Sequence, residues 1–251
     1  MRQLLLGISL FLGTHWVMSP VCVSAELSTI EERGQLRIAV KDNRYPLGYR
    51  DDGGQLQGFE IDIARRLALE LLGDAEAAEL HPVSNTERLN VVLSGEVDVA
   101  IAAITVTAQR QRIASFSQPY YLDGTGFATL PAAGLPLDTL ESVAVLASSS
   151  TLAHVRYWLP DVDIVPVASY QEALALLDGG QVQALAADIS VLAGWRHRYR
   201  LLDEVISVEP VAIAIPKGVQ YAPLRRAIND ALERWDDEGW LQDRAIYWGL
   251  Q

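Results

Sequence analysis

Cysteine is almost absent from this sequence, since the 251 residues contain a single one, Cys22. One cysteine excludes an intrachain disulfide and a CxxC metal site, because each needs a second thiol. Histidine is nearly as rare, and His81, His154 and His197 are scattered along the chain without an HExxH pattern. Nucleophile elbows and phosphate-binding loops are absent as well. We therefore expect no metal site, no cofactor and no catalytic residue.

Basic residues are outnumbered by acidic ones. Lys and Arg number 20 and Asp and Glu number 32, which gives a formal net charge of -12 at neutral pH. An acidic chain without a basic block argues against nucleic-acid binding and against docking on anionic membranes. Any anion that this protein binds must therefore be held locally, by a few well-placed donors.

The first residues have the pattern of a secretory signal peptide. A positive charge at Arg2 precedes an apolar run at 4–13, and small residues at 23–25 provide a cleavage site. The apolar run is too short to span a bilayer, and Cys22 lacks the small preceding residue of a lipoprotein. We therefore predict that residues 1–25 are removed, that the protein has no direct membrane anchor, and that it resides in the periplasm of a Gram-negative-type envelope.

Apolar strand-like runs alternate with amphipathic helix-like runs from residue 36 onward. This alternation predicts an α/β fold with largely parallel sheets. The predicted strands cover 36–40, 97–104, 142–147, 162–167 and 182–187. The predicted helices cover 59–73, 86–95, 150–159, 169–180 and 224–248.

Two further apolar runs, 126–130 and 210–218, predict strands that cross between two lobes. Two crossings imply a discontinuous first lobe and a possible hinge. We predict that lobe 1 comprises 26–128 plus 214–251 and that lobe 2 comprises 129–213. Ligands of open α/β sheets bind beyond the carboxyl ends of the strands, so the cleft between the lobes is the expected site.

The strongest candidate for ligand binding lies at the end of the predicted strand 97–104. Thr105 is followed by Thr107, a predicted helix N-cap, and by Arg110 in the first helical turn. A hydroxyl, backbone N–H groups and a guanidinium together suit a carboxylate. An arginine in a first turn opposes the helix dipole and therefore invites a functional reason. The alternative, an exposed solubilising arginine, fits Arg112 better.

The second half offers a serine-rich turn and one aspartate. Ser149 and Ser150 begin a predicted helix, where they serve either as plain caps or as donors to the same carboxylate. Asp188 follows the strand 182–187 and either caps the next segment or holds a cation. A carboxylate at Arg110 and an ammonium at Asp188 together describe a free α-amino acid.

Several ordered motifs give the chain a family resemblance. The segment GFEIDIARRLA (58–68), the run LSGEVDVAIAAITVTAQRQRIASFSQPYY (93–121), PVAIAIPKG (210–218) and DEGW (237–240) are similar to motifs of the periplasmic solute-binding proteins of polar amino-acid ABC importers. The resemblance implies a two-lobed periplasmic-binding-protein fold, with each lobe a mostly parallel sheet flanked by helices and with two hinge strands between them. It also implies capture of a free, polar L-amino acid by a monomer that delivers it to an inner-membrane ABC permease.

The resemblance also assigns roles around the ligand's backbone groups. Arg110 matches the arginine for the α-carboxylate and Asp188 the aspartate for the α-ammonium. Thr105 and Ser150 match hydroxyl positions of the two lobes, and Ala103 matches a position that contributes through its backbone. The remaining cleft position of the second lobe is Leu146, with Ser149 beside it.

The side-chain pocket departs from the family pattern. Tyr45 matches an aromatic residue that covers the ligand side chain, and Asp42 a position that contacts its far end in binders of basic amino acids. The usual YPPF is replaced here by YPLG at 45–48. A position that is aromatic in the binders of basic amino acids is occupied here by Thr86. The resemblance therefore does not identify one amino acid.

Two other functions remain open. The first is an enzyme on the same scaffold, similar to the periplasmic cyclohexadienyl (arogenate or prephenate) dehydratases. That activity needs a general acid in the cleft, for which His154 is the sole candidate. The second is the ligand-binding domain of a sensor. A binding protein returns its ligand unchanged, which distinguishes it from the dehydratase.

Overall fold

The structure is a computed structural model that describes residues 26–250. The predicted signal peptide lies outside these residues. Within them, the expected α/β fold is confirmed by two five-stranded sheets and a small three-stranded one. In chain order the strands are β1 (Leu36–Val40), β2 (Asn43–Arg44), β3 (Gly48–Arg50), β4 (Leu56–Gln57), β5 (Ala78–Pro82), β6 (Val99–Ile101), β7 (Ser115–Asp123), β8 (Thr125–Thr129), β9 (Ser142–Leu146), β10 (Asp163–Val167), β11 (Ala184–Asp188), β12 (Arg200–Leu201) and β13 (Glu209–Ile215).

Helices cover both faces of the two larger sheets. In chain order they are α1 (Leu27–Arg33), α2 (Phe59–Leu72), α3 (Asn90–Leu93), α4 (Ala108–Gln111), α5 (Ser150–Trp158), α6 (Tyr170–Asp178), α7 (Ile189–Ala193), α8 (Ala222–Asp237) and α9 (Trp240–Tyr247).

The first sheet has the order β5-β1-β6-β13-β7 and the second the order β10-β9-β11-β8-β12. Strands β1, β5 and β6 are parallel, as are β9, β10 and β11. The later strand β13 joins the first sheet antiparallel to β6 and β7, and β8 joins the second antiparallel to β11. Each sheet thus has three adjacent parallel strands that run from one edge strand to the central strand, and their carboxyl ends lie on the same side.

Each sheet separates two apolar cores. In β1, Ile38 and Val40 pack with α2 and α8 on one face, whereas Ala39 packs on the other face with Val92. This alternation follows from the two-residue period of a strand. Helix α2 contributes residues at helical spacing to the first core and ends at Gly73, which adopts the left-handed conformation at φ 77°.

Some predicted elements are shorter than expected. The strand predicted over 97–104 ends at Ile101, because Ala103 has a left-handed backbone at φ 52° that interrupts the extended chain. The helix predicted over 86–95 is reduced to α3, since turns occupy the residues before it. The helix predicted over 224–248 is two helices, divided at Gly239 with φ 74°.

Two short connections, 123–125 and 207–209, carry the chain between the sheets. They are hydrogen-bonded to each other: Thr125 N donates to Ser207 Oγ at 2.9 Å, and Thr125 Oγ1 donates to Glu209 Oε1 at 2.9 Å. These connections lie a few residues before the sequence-based boundaries at 128 and 213. The extents of the lobes stay a prediction, with the paired connections as the natural hinge.

Asp123, at the first connection, is a buried carboxyl group. Its Oδ1 accepts hydrogen bonds from Gly124 N at 2.9 Å and Ser190 N at 3.2 Å, and its Oδ2 accepts one from Ser190 Oγ at 2.5 Å. Burial, followed by the nearby negative charge of Asp188, raises the pKa of Asp123 to about 7. Its ordinary value is 3.8. Between these two values the folded chain holds a proton that the unfolded chain has released, so the free energy of unfolding contributed by this group falls as pH rises.

We predict that Asp123→Asn makes the protein more stable at neutral pH. The amide keeps an acceptor for the two N–H groups and removes the buried charge, which we expect to raise the free energy of unfolding by on the order of 2–4 kcal/mol at about pH 8. Near about pH 3.5 the difference should largely vanish, because the wild-type carboxyl group is then mostly protonated in both the folded and the unfolded state. Urea denaturation at both pH values measures it. Asp161→Asn, at an exposed position, is the control, and a stability gain that is the same at both pH values would contradict the prediction.

Candidate functional site

The carboxyl ends of the central strands of both sheets border one cleft. Strand β6 is followed by Thr105, and β9 is followed by Ser150. Thr105 Oγ1 and Ser150 Oγ are 3.1 Å apart, and Asn85 Nδ2 donates to Ala147 O at 3.2 Å. The lobes therefore contact each other directly across the cleft, through groups that can also bind a ligand.

Arg110 enters the cleft from the first lobe. Thr107 caps α4, as predicted, by accepting a hydrogen bond from Arg110 N at 3.2 Å. The guanidinium donates from Nη1 to Thr105 O at 2.8 Å and from Nη2 to Ser148 O at 3.4 Å. Burial lowers the pKa of Arg110, and the negative charge of Asp188 opposes that shift. Arg110 is thus a partly buried cation held between the two lobes.

The serines of the second lobe have different roles. Ser149 caps α5, accepting from Leu152 N at 3.4 Å and donating to Leu146 O at 2.6 Å. Ser150 turns its hydroxyl across the cleft toward Thr105. Ser148 has a left-handed backbone at φ 60°, which is uncommon for a residue other than glycine and directs its carbonyl to Arg110.

Asp188 occupies the N-cap position of α7 but makes no capping hydrogen bond. Its Oδ1 instead accepts from Thr151 Oγ1 at 3.1 Å, and its Oδ2 forms a buried ion pair with Arg44 of the first lobe. Arg44 also donates to Tyr170 Oη at 3.0 Å. Of the two roles considered for Asp188, the structure therefore shows it holding a cation, and that cation belongs to the protein.

A second buried network fixes the loop after β6. Glu60 Oε1 accepts a hydrogen bond from Ala103 N at 2.7 Å and another from the hydroxyl of Tyr120. Arg88 Nη1 donates to Ala102 O at 2.9 Å and to Ala103 O. Both backbone groups of Ala103 are thereby used within the protein, which holds its left-handed backbone in place. Burial raises the pKa of Glu60.

Tyr45, Asp42 and Leu146 lie at different depths. The Tyr45 side chain is about half exposed at 51%, and its ring lies so close to Gly194 of the second lobe that a Cβ there would be 2.9 Å from Tyr45 Cδ1. Asp42 Oδ2 pairs with Arg50 Nε at 3.3 Å on the surface. Leu146 is buried and lines a cavity beside Arg44. The structure thus brings Leu146 to the cleft and directs Asp42 toward Arg50.

Sequence reasoning missed several charged residues of the cleft. Lys41 and Arg44 stand on either side of Asp42 in the segment KDNRY, and Arg88 lies in a turn. Burial and the positive charges of Arg44 and Arg88 lower the pKa of Lys41 to about 8. Burial and the charges of Arg110 and Arg44 lower the pKa of Arg88 to about 9. The signal that could have pointed to these three residues was their positive charge, since basic residues are the minority in this acidic chain.

Two cavities between the lobes meet at Asn85. The larger, of about 490 Å³, is bordered by Arg88 and Arg110 on one side and by Ser150 and His154 on the other. The smaller, of about 80 Å³, is bordered by Lys41 and Arg44 and, from the second lobe, by Leu146 and Tyr170. Thr86 borders the larger cavity.

Within residues 26–250, no cluster of three or more His, Cys, Asp or Glu side chains is arranged to hold a metal ion. Over the same span, every helix is too short or too polar to cross a bilayer. Neither observation tests the expectation that the protein uses no cofactor.

The known proteins to which this chain is similar are named as binding proteins or receptors for solutes and amino acids. The model of the bacterial extracellular solute-binding proteins, family 3, matches residues 36–251. A glutamine-binding protein of Geobacillus stearothermophilus is 32% identical over 199 residues, 76% of this chain and 76% of that protein. The ABC transporter glutamine-binding protein GlnH of Bacillus subtilis is 27% identical over 223 residues, 85% of this chain and 80% of that protein. The crystal structure of the solute receptor for L-cysteine of Neisseria gonorrhoeae has a TM-score of 0.82 and 26% identity, over 89% of this chain and 93% of that chain.

We predict that Tyr120→Phe destabilises the fold by about 1–3 kcal/mol, because Glu60 then loses one of the two donors that solvate its buried carboxyl group. Chemical denaturation measures the loss. Tyr121→Phe is the matched control on the same strand, since among residues 26–250 the Tyr121 hydroxyl has no hydrogen-bond partner. Equal stability of the two variants would contradict the role assigned to the Glu60 network.

Proposed function

Because the chain belongs to the bacterial extracellular solute-binding proteins, family 3, we propose that it captures a free L-amino acid in the cleft and delivers it to an ABC permease. The observation that carries this proposal is the placement of Arg110 on one lobe and Asp188 on the other, at the borders of a single cleft. The relatives named for glutamine binding and for ABC transport support it.

The α-carboxylate binds at Arg110. A guanidinium has five N–H donors in a planar fork, of which Arg110 uses two on the carbonyls of Thr105 and Ser148. A carboxylate between the lobes takes the remaining donors and replaces the contact between the hydroxyls of Thr105 and Ser150 with one hydrogen bond from each. Charge-assisted hydrogen bonds of this kind are about twice as strong as neutral ones.

The α-ammonium binds at Asp188. A carboxylate offers about four lone-pair sites, and Arg44 and Thr151 use two of them. The ammonium takes a third beside Arg44. Leu146 borders this region, Ser149 supports it by capping α5, and Tyr45 covers the ligand from the mouth of the cleft. The N–H of Ala103 already donates to Glu60, so the role of Ala103 is to hold the loop before Thr105 in place. Asp42 contributes only if it releases Arg50.

Closure of the cleft supplies the affinity. A micromolar dissociation constant corresponds to about 8 kcal/mol, whereas one exposed ion pair supplies at most about 1 kcal/mol. Both lobes must therefore contact the ligand and exclude water from it. The ligand then favours the closed state because only that state offers both sets of contacts, with 123–125 and 207–209 as the hinge.

Binding is better supported than catalysis. The dehydratase alternative relies on His154, whose Nδ1 is 2.8 Å from Glu209 Oε1 and 3.4 Å from Thr125 Oγ1 beside the hinge. These contacts engage Nδ1 within the protein and support a structural role for His154. We propose that the protein is a monomeric binder, exported to the periplasm, that returns its ligand unchanged.

We predict that Arg110→Ala weakens amino-acid binding by about 3–5 kcal/mol, because the buried carboxylate of the ligand loses its charged partner. Isothermal titration calorimetry on ligand-stripped protein measures the loss. Arg112→Ala is the matched control, since Arg112 lies two residues away with an exposed side chain. The Arg112→Ala variant should bind the amino acid with unchanged affinity. Wild-type affinity in Arg110→Ala would overturn the assignment.

The ligand itself is found with a panel of the twenty amino acids, ornithine, citrulline and arogenate. A ligand at 100 times its dissociation constant adds about 2.7 kcal/mol to the free energy of unfolding, which thermal denaturation detects. Chromatography of the recovered ligand then tests for conversion. Binding of unaltered amino acids supports the proposal, whereas conversion of arogenate supports the dehydratase.

A further inference from the structure

The smaller cavity is bordered by two buried cations of the first lobe. The side chains of Lys41 and Arg44 are each 4% exposed, and both border the space that Tyr170 closes from the second lobe. Burial lowers the pKa of Lys41, and repulsion by the positive charge of Arg44 lowers it further. Buried charges are stable only when paired or well hydrogen-bonded.

Both cations have donors that the protein does not use. Lys41 Nζ donates to Val83 O at 2.6 Å, and an ammonium has two further N–H groups. Arg44 donates from Nη2 to Asp188 and Tyr170. Its Nε is buried and has no hydrogen-bond partner among residues 26–250. A buried, unpaired guanidinium N–H beside a cavity indicates a missing acceptor.

The net charge of the cleft also indicates that an acceptor, here an anion, is missing beside these cations. Four cations border the two cavities, namely Lys41, Arg44, Arg88 and Arg110. The carboxylate of Asp188 balances one of them. Among the other nearby carboxyl groups, Glu209 partly compensates Arg110, because hydrogen bonds from hydroxyl groups lower its pKa despite its burial. Asp42 pairs with Arg50, and burial raises the pKa values of Glu60 and Asp123, so these three groups compensate little. A zwitterionic amino acid with a neutral side chain would leave this excess uncorrected.

We propose that the ligand carries two carboxylates, one bound at Arg110 and the other at the subsite formed by Lys41 and Arg44. This inference rests on the proposed function and adds the ligand class, which is an amino acid with an acidic side chain. The second carboxylate accepts from the unpaired Nε of Arg44 and from the free N–H groups of Lys41. Arg44 then serves both lobes, bonding Asp188 with Nη2 and the ligand with Nε.

Calorimetry with L-glutamate, L-aspartate, L-glutamine, L-arginine and glutarate tests the proposal. We expect an acidic amino acid to bind about 30-fold or more tightly than its amide, because the amide leaves the buried cations unpaired. Glutarate has two carboxylates and no amine, so it reports whether the ammonium is also required. Tighter binding of glutamine or arginine would overturn the ligand class while leaving the proposed function intact. Failure of every amino acid and of glutarate would overturn both.

Lys41→Met removes one subsite charge. We expect its affinity for the acidic amino acid to fall by about 30-fold or more, whereas its affinity for the amide should change by less than about threefold. Lys217→Met is the matched control, because Lys217 is exposed and is the other lysine of the chain. Arg44→Lys, which keeps the charge but lacks Nε, provides a second variant. Thermal denaturation checks that each variant is folded, and equal losses for acid and amide would contradict the subsite.

A direct readout comes from labelling lysine with ¹³C at Cε. The chain contains only Lys41 and Lys217, so two resonances are expected. The titration of the Lys41 signal depends on its charged neighbours, which are Arg44, Arg88, Asp42, Glu60 and Glu87. A bound second carboxylate should raise the pKa of Lys41, and the Lys217 resonance serves as the internal reference. An unchanged Lys41 titration at saturating L-glutamate would show that no carboxylate reaches the subsite.

Discussion

The buried ion pair between Arg44 and Asp188 joins the two lobes at the centre of the cleft. Its partners are separated by 144 positions in the sequence and their side chains are 4% and 11% exposed. Such a pair costs desolvation energy that must be recovered through geometry and further hydrogen bonds, here from Thr151 and Tyr170. Opening the cleft hydrates both charges, and closing it requires them to find partners again. The position of the lobes is therefore coupled to the charges in the cleft.

The loop after β6, which carries the proposed ligand-binding residues of the first lobe, is fixed by contacts within the protein. Glu60 and Arg88 hold the N–H and C=O groups of Ala103, a residue whose left-handed backbone is unfavourable in isolation. The energy that keeps this conformation comes from a buried network on the core side of the loop. Thr105 and Arg110 extend from the loop into the cleft, so ordering them costs the ligand little conformational entropy.

Periodicity and local signals predicted much of this arrangement. The apolar run over 36–40 predicted strand β1, and the spacing of Thr107 and Arg110 predicted the capped turn. The ion pair of Arg44 was not predictable, because nothing local distinguishes a surface arginine from one whose partner is 144 residues away. Alanine likewise gives no sign of a left-handed backbone. The sequence thus revealed residues with a local reason for their position, and the structure was needed for pairs made by folding.

The acidic exterior and the cationic cleft act differently on large and small anions. The net charge of -12 repels large anions, because a long polyanion meets the surface over many charges at once. A small anion is affected less, since the field of separate surface charges is screened within about 8 Å at physiological ionic strength. Inside the cleft Arg110 and its neighbours act at contact distance and with little screening. An acidic exterior is therefore compatible with the proposed binding of a single small carboxylate in the cleft.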